Sequence, residues 1–273
     1  GNLLGKRTYQ YFLVANGIIG PVLLGAAVAT FFNGSNFVVS KGNITQEAMP
    51  VISQWANGWH GLDALLDLWN VVLGLAVLFL SRCLGILYFI NNVSDAELLP
   101  RFRRRLMVEA VCFVVFFVSF VIYVLLKDGF AVDAASGSIV MESYKYFHNL
   151  MAMPWVLGLF LLGVVAVLFG LGRSILCATY NKGIWFAGVG TVLAVLALLL
   201  TVGYNNTAYY PSAADLQSSL TLSNSCSSLF TLKTMAYVSV FIPFVLAYII
   251  YAWRAIDSKP ITADEMKESD HAY

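Results

Sequence analysis

The chain has 273 residues, 59% of them hydrophobic and 11% charged, with a mean hydropathy of +0.77. Soluble domains carry about 25% charged and 45–50% apolar residues, so an ordinary water-soluble protein is excluded. The net charge of +1 offers no basic surface for nucleic acid.

A hydrocarbon core about 30 Å thick needs roughly 20 apolar residues per crossing helix. Six runs meet that test, at about 10–32, 68–90, 106–126, 151–172, 184–204 and 234–254. They lack the apolar/polar alternation of barrel strands. The expected fold is an all-α integral membrane protein with six transmembrane helices in bundle packing. Residues 1–254 are expected to form one polytopic domain and residues 255–273 a cytoplasmic tail. The first residue is glycine with no leader-like segment after it, which reads as an internal or processed start.

The first helix follows Lys6 and Arg7 and places Gly17, Pro21 and Gly25 on one face, where small residues let helices approach closely in a membrane. The connection 33–67 carries Trp55, Trp59 and His60. At the mouth of the second helix stand Asp63, Asp67 and Asn70, which read as solvated helix-entry residues or as the start of a proton path from the outer side. Deeper in that helix, Arg82 interrupts the apolar run 71–90. An unpaired arginine in mid-bilayer costs about 2.5–3.5 kcal/mol, and Glu109, one turn into the third helix, is the expected partner. The pair serves either helix packing or a quinone or proton route.

Between the second and third helices come Arg101, Arg103, Arg104 and Arg105. The connection 127–150 contains His148, followed by Met151 and Met153. Histidine and methionine can be axial haem ligands, but lone interfacial histidines are more often hydrogen-bonding residues. The fourth and fifth helices carry Gly158, Gly163 and Gly188, and Pro243 interrupts the sixth. Thr262 to Glu265 fits a capping box at the start of a short tail helix.

Lysine and arginine are distributed unequally. Eleven flank one set of ends (residues 6, 7, 101, 103–105, 173, 182, 254, 259 and 267), and four the other (41, 127, 145 and 233). By the positive-inside rule both termini are cytoplasmic. The four cysteines give no disulfide framework and no CxxC metal pair, and no metal site is expected. Asn43 and Asn205 open glycosylation sequons, meaningful only in a secreted eukaryotic context.

Several segments resemble subunit II of cytochrome bd ubiquinol oxidase. They are YYPS at 209–212, SLTLSNSCSS at 219–228, TLKTM at 231–235, PFVLAYIIYAW at 243–253 and GPVLLGAAVATFFNG at 20–34, with ITADEM in the tail. Gly85 and Tyr88 align with a Gly-Ala-x-Tyr-like segment of that family, although Leu84 stands where many members have a polar residue. Relative to longer members, the sequence looks as if it starts after three further helices. The acidic residues that the family is thought to use for proton entry belong to those helices.

The resemblance implies a bacterial cytoplasmic (inner) membrane protein, the accessory subunit of a quinol:oxygen oxidoreductase. Subunit I is its partner and binds the haems. This chain binds none itself, contributes to a proton route and can hold a structural quinone; read from the residues, Arg82 and Glu109 are the candidate intramembrane polar pair and Trp69 and Asn70 the candidate walls of a quinone pocket. The competing class is a secondary transporter or channel. That class should show repeated halves with equivalently broken helices, and no such repeat is found in the sequence.

Overall fold

The computed structural model describes residues 6–40, 52–133 and 135–256. The tail helix expected at Thr262 and the sequon at Asn43 lie outside them. Among the described residues six helical spans are long and apolar enough to cross a membrane, so this is a helical multi-pass protein. Helix α1 spans Lys6–Asn33, α2 Leu68–Asn92 and α3 Leu98–Leu126. A short α4, Lys145–Ala152, precedes α5 at Pro154–Leu176 and α6 at Gly183–Gly203; α7 (Leu229–Ser239) and α8 (Ile242–Ile256) make the last span. Antiparallel hairpins β1–β2 (Phe37–Ser40, Ile52–Trp55) and β3–β4 (Gly129–Val132, Ile139–Glu142) sit in two of the long connections.

Most spans run a few residues beyond the expected bounds, and three differences have a clear local reason. The arginines placed between the second and third helices instead occupy the first turns of α3, which starts at Leu98. Arginine is a good helix former, and the apolar run marks only the part of a helix that lies in lipid. The fourth span starts at Pro154 rather than 151, because proline disfavours helical geometry in the preceding Met153 yet suits the first helical position. The last span divides near Val240 and Phe241, since Pro243 has no N–H for the carbonyl of Ser239. Tighter bonds close the break, from Val240 N to Tyr237 O at 3.2 Å and from Phe241 N to Val238 O at 3.0 Å.

Helices α2, α3, α5 and α6 pack as the bundle, with α1 laid along α2. Backbones nearly touch where α1 crosses α2: a Cβ on Gly25 would stand 2.6 Å from Gly74 Cα and 2.8 Å from Leu73 O. Gly163 and Gly190 play the same part between α5 and α6. The two largest apolar clusters lie at the two ends of the bundle. One, nearer the arginine-rich end, centres on Leu87, Leu106 and Phe113; the other, nearer the long connections, centres on Phe32, Phe120 and Tyr146. The α7–α8 span buries no side chain and meets the bundle through Trp253, whose ring lies 6.1 Å from that of Tyr88.

Candidate functional site

Glu109 is the most deeply buried carboxylate in the spans, 1% exposed. It faces α2 near the arginine-rich end. Its Oε1 lies 2.8 Å from Arg82 Nη2 and 2.7 Å from Arg105 Nε, while its Oε2 is buried with no hydrogen-bond partner among the described residues. Arg105 comes four residues earlier on the same helix, so one turn carries both ends of that contact. Along the α2–α3 seam, stacked rings flank the cluster: Phe89 on Phe102 and Phe79 on Phe116, each pair at 5.7 Å between centroids. Two guanidiniums thus share one carboxylate, which leaves one excess positive charge.

A different polar network closes the opposite end. The Asp67 carboxylate caps α2 by accepting from Trp69 N at 2.8 Å and Asn70 N at 3.0 Å. Asn70, 2% exposed, donates to Ala64 O at 2.9 Å and accepts from Asn33 Nδ2 at 2.7 Å. Asn33 Oδ1 then accepts from Tyr123 OH at 3.0 Å and Lys127 Nζ at 2.8 Å, and the ammonium also reaches Phe32 O at 2.9 Å. The Trp69 ring stacks on Tyr123 at 4.1 Å, nearly parallel. Burial pulls the Lys127 ammonium down to about 8 and pushes the Tyr146 phenol beside Phe32 upward.

The expected polar pair and the expected quinone-pocket walls therefore lie apart. Arg82 and Glu109 meet, and so do Trp69 and Asn70, but Arg82 lies twelve residues beyond Asn70, roughly 18 Å along the helix axis. Asp63 accepts from the side-chain amides of Asn36 and, at 2.7 Å, Asn57. Those bonds hold its carboxyl below the usual carboxylate range, so it serves as an anion that ties the loop before α2. His60 has φ +48° and lines a cavity of about 510 Å³ between α1 and the β1–β2 hairpin, with Trp55 and Tyr210. His148 Nδ1 lies 3.2 Å from Glu142 Oε1; Met151 is exposed and Met153 is buried.

Sequence reasoning missed three participants. Lys127 and Asn33 stand at helix ends, where a polar residue reads as interfacial. Arg103 gives its guanidinium to four carbonyls: Ser174, Cys177 at 2.9 Å, Ala178 at 2.8 Å and Tyr180 at 3.0 Å. It thereby closes the C-terminal end of α5, whose last carbonyls have no helical donor. The run of four arginines was the available signal.

The polar segments 209–212 and 219–228 build a cap over the long-connection end. Ser212 N donates to Ser219 Oγ at 3.0 Å, Ser35 Oγ meets Tyr210 OH at 3.0 Å, and Val39 N donates to Ser218 Oγ at 2.9 Å. Gln217 pairs like a strand residue with Ile139, accepting at 3.0 Å and donating at 2.9 Å. These hydroxyls and amides satisfy backbone groups of three connections at once.

Fold and sites together define a polytopic helical membrane subunit, with a buried ion cluster at one end and a capped polar network at the other. Its sequence matches the family model for cytochrome bd terminal oxidase subunit II over residues 2–256. The chain belongs to that family, whose members are subunits of a respiratory terminal oxidase. A comparison with individually curated proteins found no match.

Proposed function

We propose that this chain is the accessory subunit of a bd-type quinol:oxygen oxidoreductase and supports a haem-bearing partner in quinol oxidation and the reduction of oxygen to water. The observation that carries the reading is the family match across residues 2–256. Its place in this reading is the bacterial cytoplasmic membrane. The arginine-rich end faces the cytoplasm, as the excess of lysine and arginine there favours. The haems are assigned to the partner.

Within the chain, we assign the Arg82–Glu109–Arg105 cluster to fixing α2 against α3. Every charged group in it already has a charged neighbour inside the chain. Arg82 and Glu109 form the polar pair, and Trp69 and Asn70, the candidate walls of a quinone pocket, are engaged within the chain. The two sets lie at opposite ends of the bundle, the Trp69 face is taken by Tyr123, and the Asn70 amide is bonded on both sides.

The test is purification of the chain from its native membrane in mild detergent. Expected are a co-purifying second subunit, reduced-minus-oxidised haem bands and oxygen uptake driven by quinol. A chain that emerges alone and colourless would overturn the reading.

A further inference from the structure

We propose that the exposed face of the α2–α3 seam at Arg82 and Arg105 binds the phosphate of an anionic phospholipid. Glu109 brings one negative charge against two positive ones, and both guanidiniums approach the same oxygen, at 2.8 and 2.7 Å. The carboxylate side chain is 2% exposed, whereas those of Arg82 and Arg105 are 39% and 61% exposed. The cluster thus turns its excess positive charge outward from a span, where a bare guanidinium is poorly solvated.

Arg105 contacts Glu109 through Nε, and its two terminal nitrogens meet no acceptor among the described residues. That free edge of the guanidinium is the fork that matches a phosphate with two parallel N–H bonds. Arg101, one turn earlier on the same face, adds to the positive field. The stacked pairs Phe89–Phe102 and Phe79–Phe116 hold the seam rigid on either side.

What lies beneath the charge decides the source of the phosphate. From Arg105, the stripe Val108, Val115, Ile122 and Leu126 runs down α3 at helical spacing, with each residue between 50% and 61% exposed. An apolar track that starts one turn past Arg105 fits one molecule with a phosphate head at that guanidinium and acyl chains along α3. A soluble anion would use the head of the site alone, and a docked protein helix would bring a carboxylate to it. The inference does not use the oxidase reading and fails independently of it.

The experiment takes the protein as purified with whatever accompanies it, strips lipid with detergent, and counts lipid adducts by native mass spectrometry. The probes are dioleoylphosphatidylglycerol and dioleoylphosphatidylcholine. The glycerol lipid is expected to bind more tightly. Arg105→Gln, which keeps the Arg82–Glu109 contact, is expected to weaken it about tenfold, as loss of a forked phosphate contact should, without changing phosphatidylcholine binding. If the glutamine variant does not fold, Arg105→Lys keeps the charge without the fork and should still weaken phosphatidylglycerol several-fold.

Equal binding of the two lipids, or an Arg105 variant that folds and binds phosphatidylglycerol undiminished, would overturn the proposal. So would displacement of phosphatidylglycerol by millimolar inorganic phosphate, which would mark a free-anion site. Binding that appears only after a co-purifying protein is removed would also overturn it, since a protein then covers this face.

Discussion

The two ends of the bundle solve the problem of buried polarity in opposite ways. At the arginine-rich end, a carboxylate is balanced by guanidiniums that remain partly exposed, and one carboxylate oxygen has no hydrogen-bond partner among the described residues. At the long-connection end, a single ammonium is held by a carbonyl and an amide, and a chain of neutral hydrogen bonds carries its satisfaction back to the cap of α2. Breaking the first end strands a charge. Breaking the amide links of the second, at Asn70, leaves neutral groups unpaired, which costs less.

The largest effect should follow from Glu109→Leu, which leaves Arg82 in the apolar seam without its carboxylate. An arginine left unpaired in a span costs about 2.5–3.5 kcal/mol, read as a lowered melting midpoint in detergent. Replacing both partners, Arg82→Met with Glu109→Leu, should recover most of that loss. A double variant as unstable as the single one would mean that the cluster is more than a charge pair.

At the other end, pH should separate the lysine from its neutral neighbours. Burial lowers the Lys127 ammonium from 10.5 to about 8. The unfolded chain therefore holds the proton more tightly, and stability should rise as pH climbs from about 8 to 10.5, by up to about 3 kcal/mol at 1.36 kcal/mol per unit. Thermal melts across that range should show the rise in the native chain and lose it in Lys127→Met.

Next in size is Asn70→Ala, which removes the link between Asn33 and Ala64 O. Leaving such groups unpaired costs about 1–3 kcal/mol, measurable as a midpoint shift with no change in its pH dependence. The smallest effect is expected at Glu142. It lies 2.8 Å from Lys145 and near His148 and is itself 40% exposed. Lys145 and His148 hold its carboxyl below the usual range, so its contribution is present at neutral pH and fades as pH falls through the carboxylate range. Glu142→Gln should cost under about 1 kcal/mol and flatten the acid limb of the stability curve.

How much of this was legible in the sequence differs between the ends for the same physical reason. A charge inside an apolar run announces itself, so Arg82 and Glu109 could be matched by depth and by the short connection between their helices. Arg105, one turn before Glu109, lies outside the apolar run because α3 begins before that run does. The neutral network left little trace. Asn33 and Lys127 are separated by 94 positions and meet only because α1 and α3 end at one level. Trp69 and Asn70 were singled out, but nothing local says that a ring will be stacked or an amide doubly bonded. The serine-rich segments 209–212 and 219–228 were visible as a family pattern, yet their work as a cap depends on backbone groups far away in sequence.

The measurement that tests the account most directly is quinol-driven oxygen uptake per haem. It should be made on the complex carrying the native chain and on the complex carrying the Arg82→Met, Glu109→Leu pair. The account predicts that any loss of activity tracks the amount of assembled complex, with uptake per haem unchanged. A fully assembled complex whose uptake per haem falls would contradict it, because the cluster would then take part in the reaction rather than hold the helices that surround it.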